Sequence, residues 1–267
     1  MTPPVALSVA GSDSGGGAGI QADLRSFAAY GVHGTTAITA VTAQDTTGVK
    51  DVLVCPARLV AEQMQVVLSD LRPRAAKTGM LANREIVEVV AEIFLENDFR
   101  AVVVDPVMVA TSGARLATED IRRSYLERLF PLAQVVTPNL FEAGALLGEK
   151  EPSNLQEMAE AARELARYCP GLVVVKGGHL AGEMAVDVVW DGNRIEELAS
   201  ARIATVNTHG TGCSFSAAIA AGMAKGEDPL SAVRSAKRFV SEAIRRAANW
   251  SLGAGPGPVD HLGWELP

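Results

Sequence analysis

AVVVDPVM, residues 101–108, sets three consecutive valines between an alanine and an Asp-Pro step. So short an apolar run without polar alternation is the pattern of a strand covered on both faces, as in a parallel sheet. Working outward, VALSVA (5–10), TTAITAVTA (35–43), AAKTGM (75–80), QVVT (134–137) and LVVVK (172–176) repeat it. Between them the periodicity predicts helices over 18–30, 56–70, 83–97, 118–129 and 153–168, several opened by Pro, Asn, Thr or Ser. This alternation predicts an α/β chain with a mostly parallel central sheet and helices on both faces. Residues 184–206 read as a hairpin turning at DGN and feeding a later strand. Two helices over 211–226 and 228–249 and a Gly/Pro-rich tail follow. No repeat or linker divides the chain, so a single domain over 1–267 is expected.

With 267 residues, 48% of them hydrophobic, the chain can bury one large core. Its net charge of -7 argues against a nucleic-acid partner, because phosphate backbones are bound by clustered Lys and Arg. Small solutes are the expected partners. Cys55, Cys169 and Cys213 are too few and too scattered for a disulfide framework or a zinc knuckle. The start, MTPPVALSVAGSD, has no basic leader region, and no stretch is apolar enough to span a bilayer. A cytoplasmic protein without a membrane partner is the expectation.

Ligands of open parallel sheets bind at the carboxyl ends of the strands, and the polar motifs fall there. GSDSGGGAGIQADL (11–24) is a glycine-dense strand-to-helix turn that fits neither the dinucleotide nor the Walker spacing. NTHGTGCSFSAAIAAG (207–222) places Cys213 on the first turn of an Ala-rich helix, where free amides favour anions and lower a thiol's pKa. Cys213 reads as part of an anion cradle, as an activated thiol, or as a small packing residue. Asn139 and Glu142, three apart at a helix start, read either as a water-mediated Mg²⁺ site or as an N-cap with a first-turn carboxylate. Asp105 reads as a metal or phosphate residue or as the start of a turn. Lys176 reads as a phosphate partner or a solvated strand end. Gln44 and Asp23 could read the edge of a heteroaromatic ring or simply meet solvent. Lys237, beside Arg234 and Arg238, reads as a solvated face. A Cys-His hydrolase pairing Cys213 with His179 or His209 has little support from such anion-friendly loops.

Taken together, AGSDSGGGAGIQADL, AVTAQDTTGV, KTGML, DPVM, TPNLFEA, VVVKGGHL and NTHGTGCSFSAAIA resemble the hydroxymethylpyrimidine/phosphomethylpyrimidine kinases of thiamine biosynthesis, in the ribokinase superfamily. The resemblance spans nearly the whole chain, and GTGC is its sharpest element, because sugar kinases of the superfamily typically carry GTGD. It implies a ribokinase-like three-layer α/β/α fold and two ATP-dependent phosphoryl transfers, first to the hydroxymethyl group of the pyrimidine and then to the monophosphate. It further implies that Gln44 and Asp23 contact the pyrimidine and that Gly11, Ala18, Met80 and Val107 line its pocket. Gly210, Thr211, Gly212 and Cys213 would form the catalytic anion hole, with Cys213 taking the hydroxyl proton. Glu142, with Asn139 and Asp105, would organise Mg²⁺; Lys176 and Lys237 would neutralise phosphate; Thr208 would touch ATP. A homodimer is implied as well. A pyridoxine/pyridoxal kinase and a catalytically silent binding module are the competing readings.

Overall fold

Nine strands form one sheet in the order β3-β2-β1-β4-β5-β6-β7-β8-β9. The structure, a computed structural model, describes residues 2–108 and 118–264. The strands are β1 (Val5–Asp13), β2 (His33–Asp45), β3 (Gly48–Val54), β4 (Ala75–Thr78), β5 (Val102–Val104), β6 (Val135–Val136), β7 (Leu172–Val175), β8 (Met184–Trp190) and β9 (Ile195–Ala201). The six from β2 to β7 pair in parallel, and β3, β8 and β9 add antiparallel edges. The helices are α1 (Gly19–Ala29), α2 (Ala57–Asp70), α3 (Arg84–Glu96), α4 (Glu119–Ser124), α5 (Leu140–Leu147), α6 (Leu155–Leu165), α7 (Thr211–Ala224) and α8 (Pro229–Ala247).

The valine runs explain the layering. Val102, Val104, Val173 and Val175 pack into the core under α2, α3, α5 and α6, whereas Val103 and Val174 pack into a second core under α7 and α8. Period-two alternation sends neighbours to opposite faces, so an uninterrupted apolar strand needs helices on both sides. On the second face α7 is buried from Ser214 to Ala224, and its small side chains let it lie close to the sheet. This is the ribokinase-like three-layer arrangement, and it delivers the carboxyl ends of β1, β4, β5, β6 and β7 to one edge.

Three predicted segments differ. The expected strand 35–43 is longer, and the chain turns at Thr46 and Thr47 into β3, which the sequence reading omits. The expected helix 118–129 keeps α geometry only to Ser124, then widens into a π turn over Tyr125–Leu129 and tightens at Phe130–Leu132, where Pro131 removes a donor. Residues 202–206 form no strand. Arg202 instead donates to the carbonyls of Leu180, Gly178, Gly182 and Met184 at 2.5, 2.6, 2.8 and 3.3 Å, pinning the loop ahead of β8.

Candidate active site

The glycine-rich turn is organised by the residue at the end of β1. Asp13 accepts the amides of Gly15, Ala18 and Gly17 at 2.8, 2.8 and 3.1 Å, and His209 Nε2 lies 3.0 Å from Asp13 Oδ2. Burial opposes its charge, but the His209 bond and the amides hold its carboxyl below the ordinary value. The turn closes on the start of α7. A Cβ on Gly210, which has φ +80, would stand 1.8 Å from the Gly17 carbonyl oxygen, so only glycine fits the crossing. The two glycine motifs therefore meet as one wall.

Beside that wall is a partly enclosed cavity of about 90 Å³. Gly11, Ala18, Gln44, Met80, Val107 and Cys213 all line it, joined by Thr42, Lys77 and, from β3, Val49 and Val52. Gln44 is not beyond its strand as expected but within β2. Its Oε1 accepts from Thr42 Oγ1 at 3.2 Å, and its Nε2 lies 3.4 Å from His209 Nε2. A flat, largely apolar ring with one amide-reading edge suits this chamber.

Asp23 does not reach the cavity. It is fully buried, and its carboxylate accepts Lys77 Nζ at 2.9 and 3.0 Å and Ser8 Oγ at 2.6 Å. The expected ring contact is thus replaced by an ion pair, with Lys77 rather than Asp23 facing the ligand space. Burial works against the ammonium, yet the Asp23 charge holds Lys77 well above its ordinary pKa.

The phosphate end lies across the first turn of α7. Lys176 Nζ donates to Asp105 Oδ1 at 2.8 Å, and Thr137 and Ser216 hydroxyls complete the Asp105 carboxylate at 3.2 Å each. A Cβ on Gly212 would lie 3.3 Å from Lys176 Nζ, so this cation sits directly against the helix start. No side chain caps α7 at Gly210; the Thr211 amide donates to the Thr208 carbonyl at 3.3 Å, and the next first-turn amides, those of Gly212 and Cys213, are left to a ligand. Burial opposes the Asp105 charge, but Lys176 and Lys77 outweigh it and keep the carboxyl below its ordinary value.

Asn139 and Glu142 form a reciprocal capping box on α5: Asn139 Oδ1 accepts from Glu142 N and Glu142 Oε2 accepts from Asn139 N, both at 2.8 Å. Burial pushes Glu142 up to about 7, against the pull of Lys176 and with help from the nearby Asp105 charge. Glu142 and Asp105 are therefore already bonded within the protein, and among the described residues no cluster of three or more His, Cys, Asp or Glu could hold a metal. Two buried carboxyls at this end of the site fit the expected water-mediated role toward an ion that takes its other oxygens from phosphates.

Two further expectations, for Lys237 and Cys213, change. Lys237 is no solvated lysine. It donates to Asp187 Oδ2 at 2.8 Å and to the Ala185 carbonyl at 3.0 Å, and Asp187 accepts the Gly177 amide at 3.0 Å, which braces the turn after Lys176. Thr208 lies exposed ahead of α7 and is the one nucleotide candidate open to solvent. The Cys213 thiol is not lowered by the helix start; burial pushes it up to about 11, outweighing the favourable Lys77 charge. His209, one of the two histidines weighed as a partner for Cys213, has its Nε2 directed at Asp13 Oδ2. Asp13 and Lys77 went unassigned in the sequence, and His209 was weighed there only as a partner for Cys213. The available signal for Asp13 was its place two residues before a Gly triplet; a lone Lys inside AAKT gives no sign of a buried partner 54 positions away.

Comparison with known proteins agrees with this geometry. A family model described as phosphomethylpyrimidine kinase matches residues 13–260. A hydroxymethylpyrimidine/phosphomethylpyrimidine kinase of Rhizobium meliloti is 49% identical over 97% of this chain and 97% of its own. Among solved structures, the pyridoxal kinase of Staphylococcus aureus in complex with AMP-PCP and pyridoxal superposes with a TM-score of 0.90 at 36% identity, covering 98% of this chain and 95% of that one. The phosphomethylpyrimidine kinase of Clostridium difficile gives 0.79 at 37% identity, over 90% and 99%.

Proposed function

The chain belongs to the phosphomethylpyrimidine kinase family, and we propose that it moves the γ-phosphoryl group of ATP to 4-amino-5-hydroxymethyl-2-methylpyrimidine and then a second one to the resulting monophosphate. The observation that carries this reading is the position of Cys213, on the lining of the ring-sized cavity and on the same helical turn that presents free amides beside Lys176. An alcohol anchored by Gln44 would point its oxygen at a phosphoryl group held at that turn. Phosphoryl transfer needs in-line placement and compensation of charge more than covalent help, and amides plus Lys176 supply the compensation. As the alcohol oxygen bonds to phosphorus, the bond to the β-phosphate oxygen breaks and the hydroxyl proton is left beside Cys213. Glu142 and Asp105 would hold a hydrated Mg²⁺, which when bound neutralises phosphate charge. The enzyme is further read as a cytoplasmic homodimer, a reading supported by the exposed Leu53 and Val54 on the edge strand β3.

ADP release, followed separately with the pyrimidine alcohol, its monophosphate and pyridoxal, tests the assignment. Turnover with both pyrimidines is expected. The likeness to a pyridoxal kinase gives the third substrate its interest: a strong preference for pyridoxal would reassign the acceptor, and binding without ADP formation would leave a binding module.

A further inference from the structure

Lys77 has no task in the account above. It sits on β4, where all four residues are buried, and it is itself 0% exposed, yet it lines the acceptor cavity. Both Asp23 oxygens hold its ammonium, Ser8 fixes Asp23 in turn, and a Cβ on Gly79 would stand 2.8 Å from Nζ, so the strand leaves the ammonium just the room it occupies. Stability alone does not account for it, because apolar side chains of similar volume usually serve a core as well as a sealed ion pair. Cys213 lines the same cavity. Among the charges acting on the thiol, Lys77 is the leading one that favours the thiolate, while Asp23 and Asp105 oppose it.

We propose that Lys77 is a positioning residue for the acceptor step: a fixed positive charge, clamped by Asp23 and Ser8, that lets Cys213 carry the negative charge needed to take the substrate's hydroxyl proton. The inference rests on the kinase reading given above. Cys213 first loses its thiol proton to water. When the alcohol oxygen bonds to the γ-phosphorus and the phosphorus–oxygen bond to ADP breaks, the hydroxyl proton passes to Sγ and restores the thiol. Lys77 stays protonated throughout, and its field lowers the cost of the thiolate before transfer.

The test reads Cys213 in the resting protein, without substrate. Iodoacetamide labelling of the peptide bearing Cys213 is followed by mass spectrometry from pH 7 to 11, which separates it from Cys55 and Cys169. Lys77→Met strands a buried carboxylate and risks the fold, so Lys77→Met/Asp23→Asn, which removes both charges and keeps an acceptor for Ser8, is measured beside it. Compared with Asp23→Asn alone, which keeps the Lys77 charge, the double variant is expected to label roughly tenfold more slowly at pH 8, the equivalent of about one pH unit in the thiol's titration. kcat should fall about tenfold or more with KM for the alcohol little changed. Equal labelling rates for the folded double variant and for Asp23→Asn would overturn the proposal. If labelling shifts but neither pyrimidine is phosphorylated, the substrate assignment fails instead and the Lys77–Cys213 coupling stands.

Discussion

Two lysine–aspartate pairs flank the start of α7, and they differ in one respect. Lys77 and Asp23 are both sealed, with side chains 0% exposed, whereas Lys176 is 15% exposed above a buried Asp105. Each lysine leaves the carboxyl half of a parallel strand and meets a carboxylate from a distant segment. In the sealed pair no ligand can replace the carboxylate, so its charge is a permanent part of the cavity. In the open pair the ammonium can turn from Asp105 to an arriving phosphate, while Thr137 and Ser216 keep the carboxylate satisfied. Similar chemistry thus serves as fixed field at the acceptor end and as exchangeable contact at the donor end.

The contrast predicts opposite costs for the same substitution. Lys77→Met should lose about 3–5 kcal/mol of stability, because it leaves a buried carboxylate without its cation, and urea titration measures this. Recovery of most of that loss in Lys77→Met/Asp23→Asn would sharpen the distinction; a small loss in the single variant would break it. Lys176→Met should instead act on turnover, lowering kcat by roughly 10²–10³, about 3–4 kcal/mol of transition-state stabilisation, with a smaller effect on stability than Lys77→Met. Equal stability losses for the two would mean that exposure does not separate them.

Between the pairs lies Glu142, whose carboxyl is pushed up to about 7 from the ordinary 4.5. A raised folded value means that the native state holds the proton more tightly than the unfolded chain. The stabilisation is then complete below pH 4.5 and is lost as pH climbs through 7, by about 3 kcal/mol. Glu142→Gln should remove that slope from stability measured against pH, and an unchanged slope would place the titration elsewhere. The smallest expected effect is that of Cys213→Ala: turnover down about 10–100-fold, with stability altered by about 1 kcal/mol or less. Unaltered turnover would reduce Cys213 to packing.

Much of this arrangement was legible in the sequence for a physical reason. Valine runs can be satisfied only by a two-sided sheet, so the layering could be read from local pattern, whereas the lining by Gly11, Ala18, Gln44, Met80 and Val107 came from the family resemblance and not from the pattern. What escaped depends on partners distant in the chain. Nothing around Asp23 reveals Lys77, nothing around Lys237 reveals Asp187, and both were read as facing ligand or solvent. The thiol was misjudged because the helix start is visible in GTGC but the burial that outweighs it, and the Lys77 charge and Gly19 hydrogen bond that only partly offset it, arise from tertiary packing. β3 was missed because Lys50 and Asp51 interrupt its apolar residues and its exposed Val52 and Leu53 look like loop until the strand pairs with β2.

The central claim is that phosphoryl transfer occurs at the first turn of α7, between Lys176 and Cys213. A crystal structure with a non-hydrolysable ATP analogue and the pyrimidine alcohol tests it most directly. The account predicts the terminal phosphate on the amides of Gly210–Cys213 within hydrogen-bond reach of Lys176, and the ring beside Gln44 with its hydroxymethyl oxygen facing that phosphate. A terminal phosphate lodged away from this turn, or a ring outside the cavity, would contradict it.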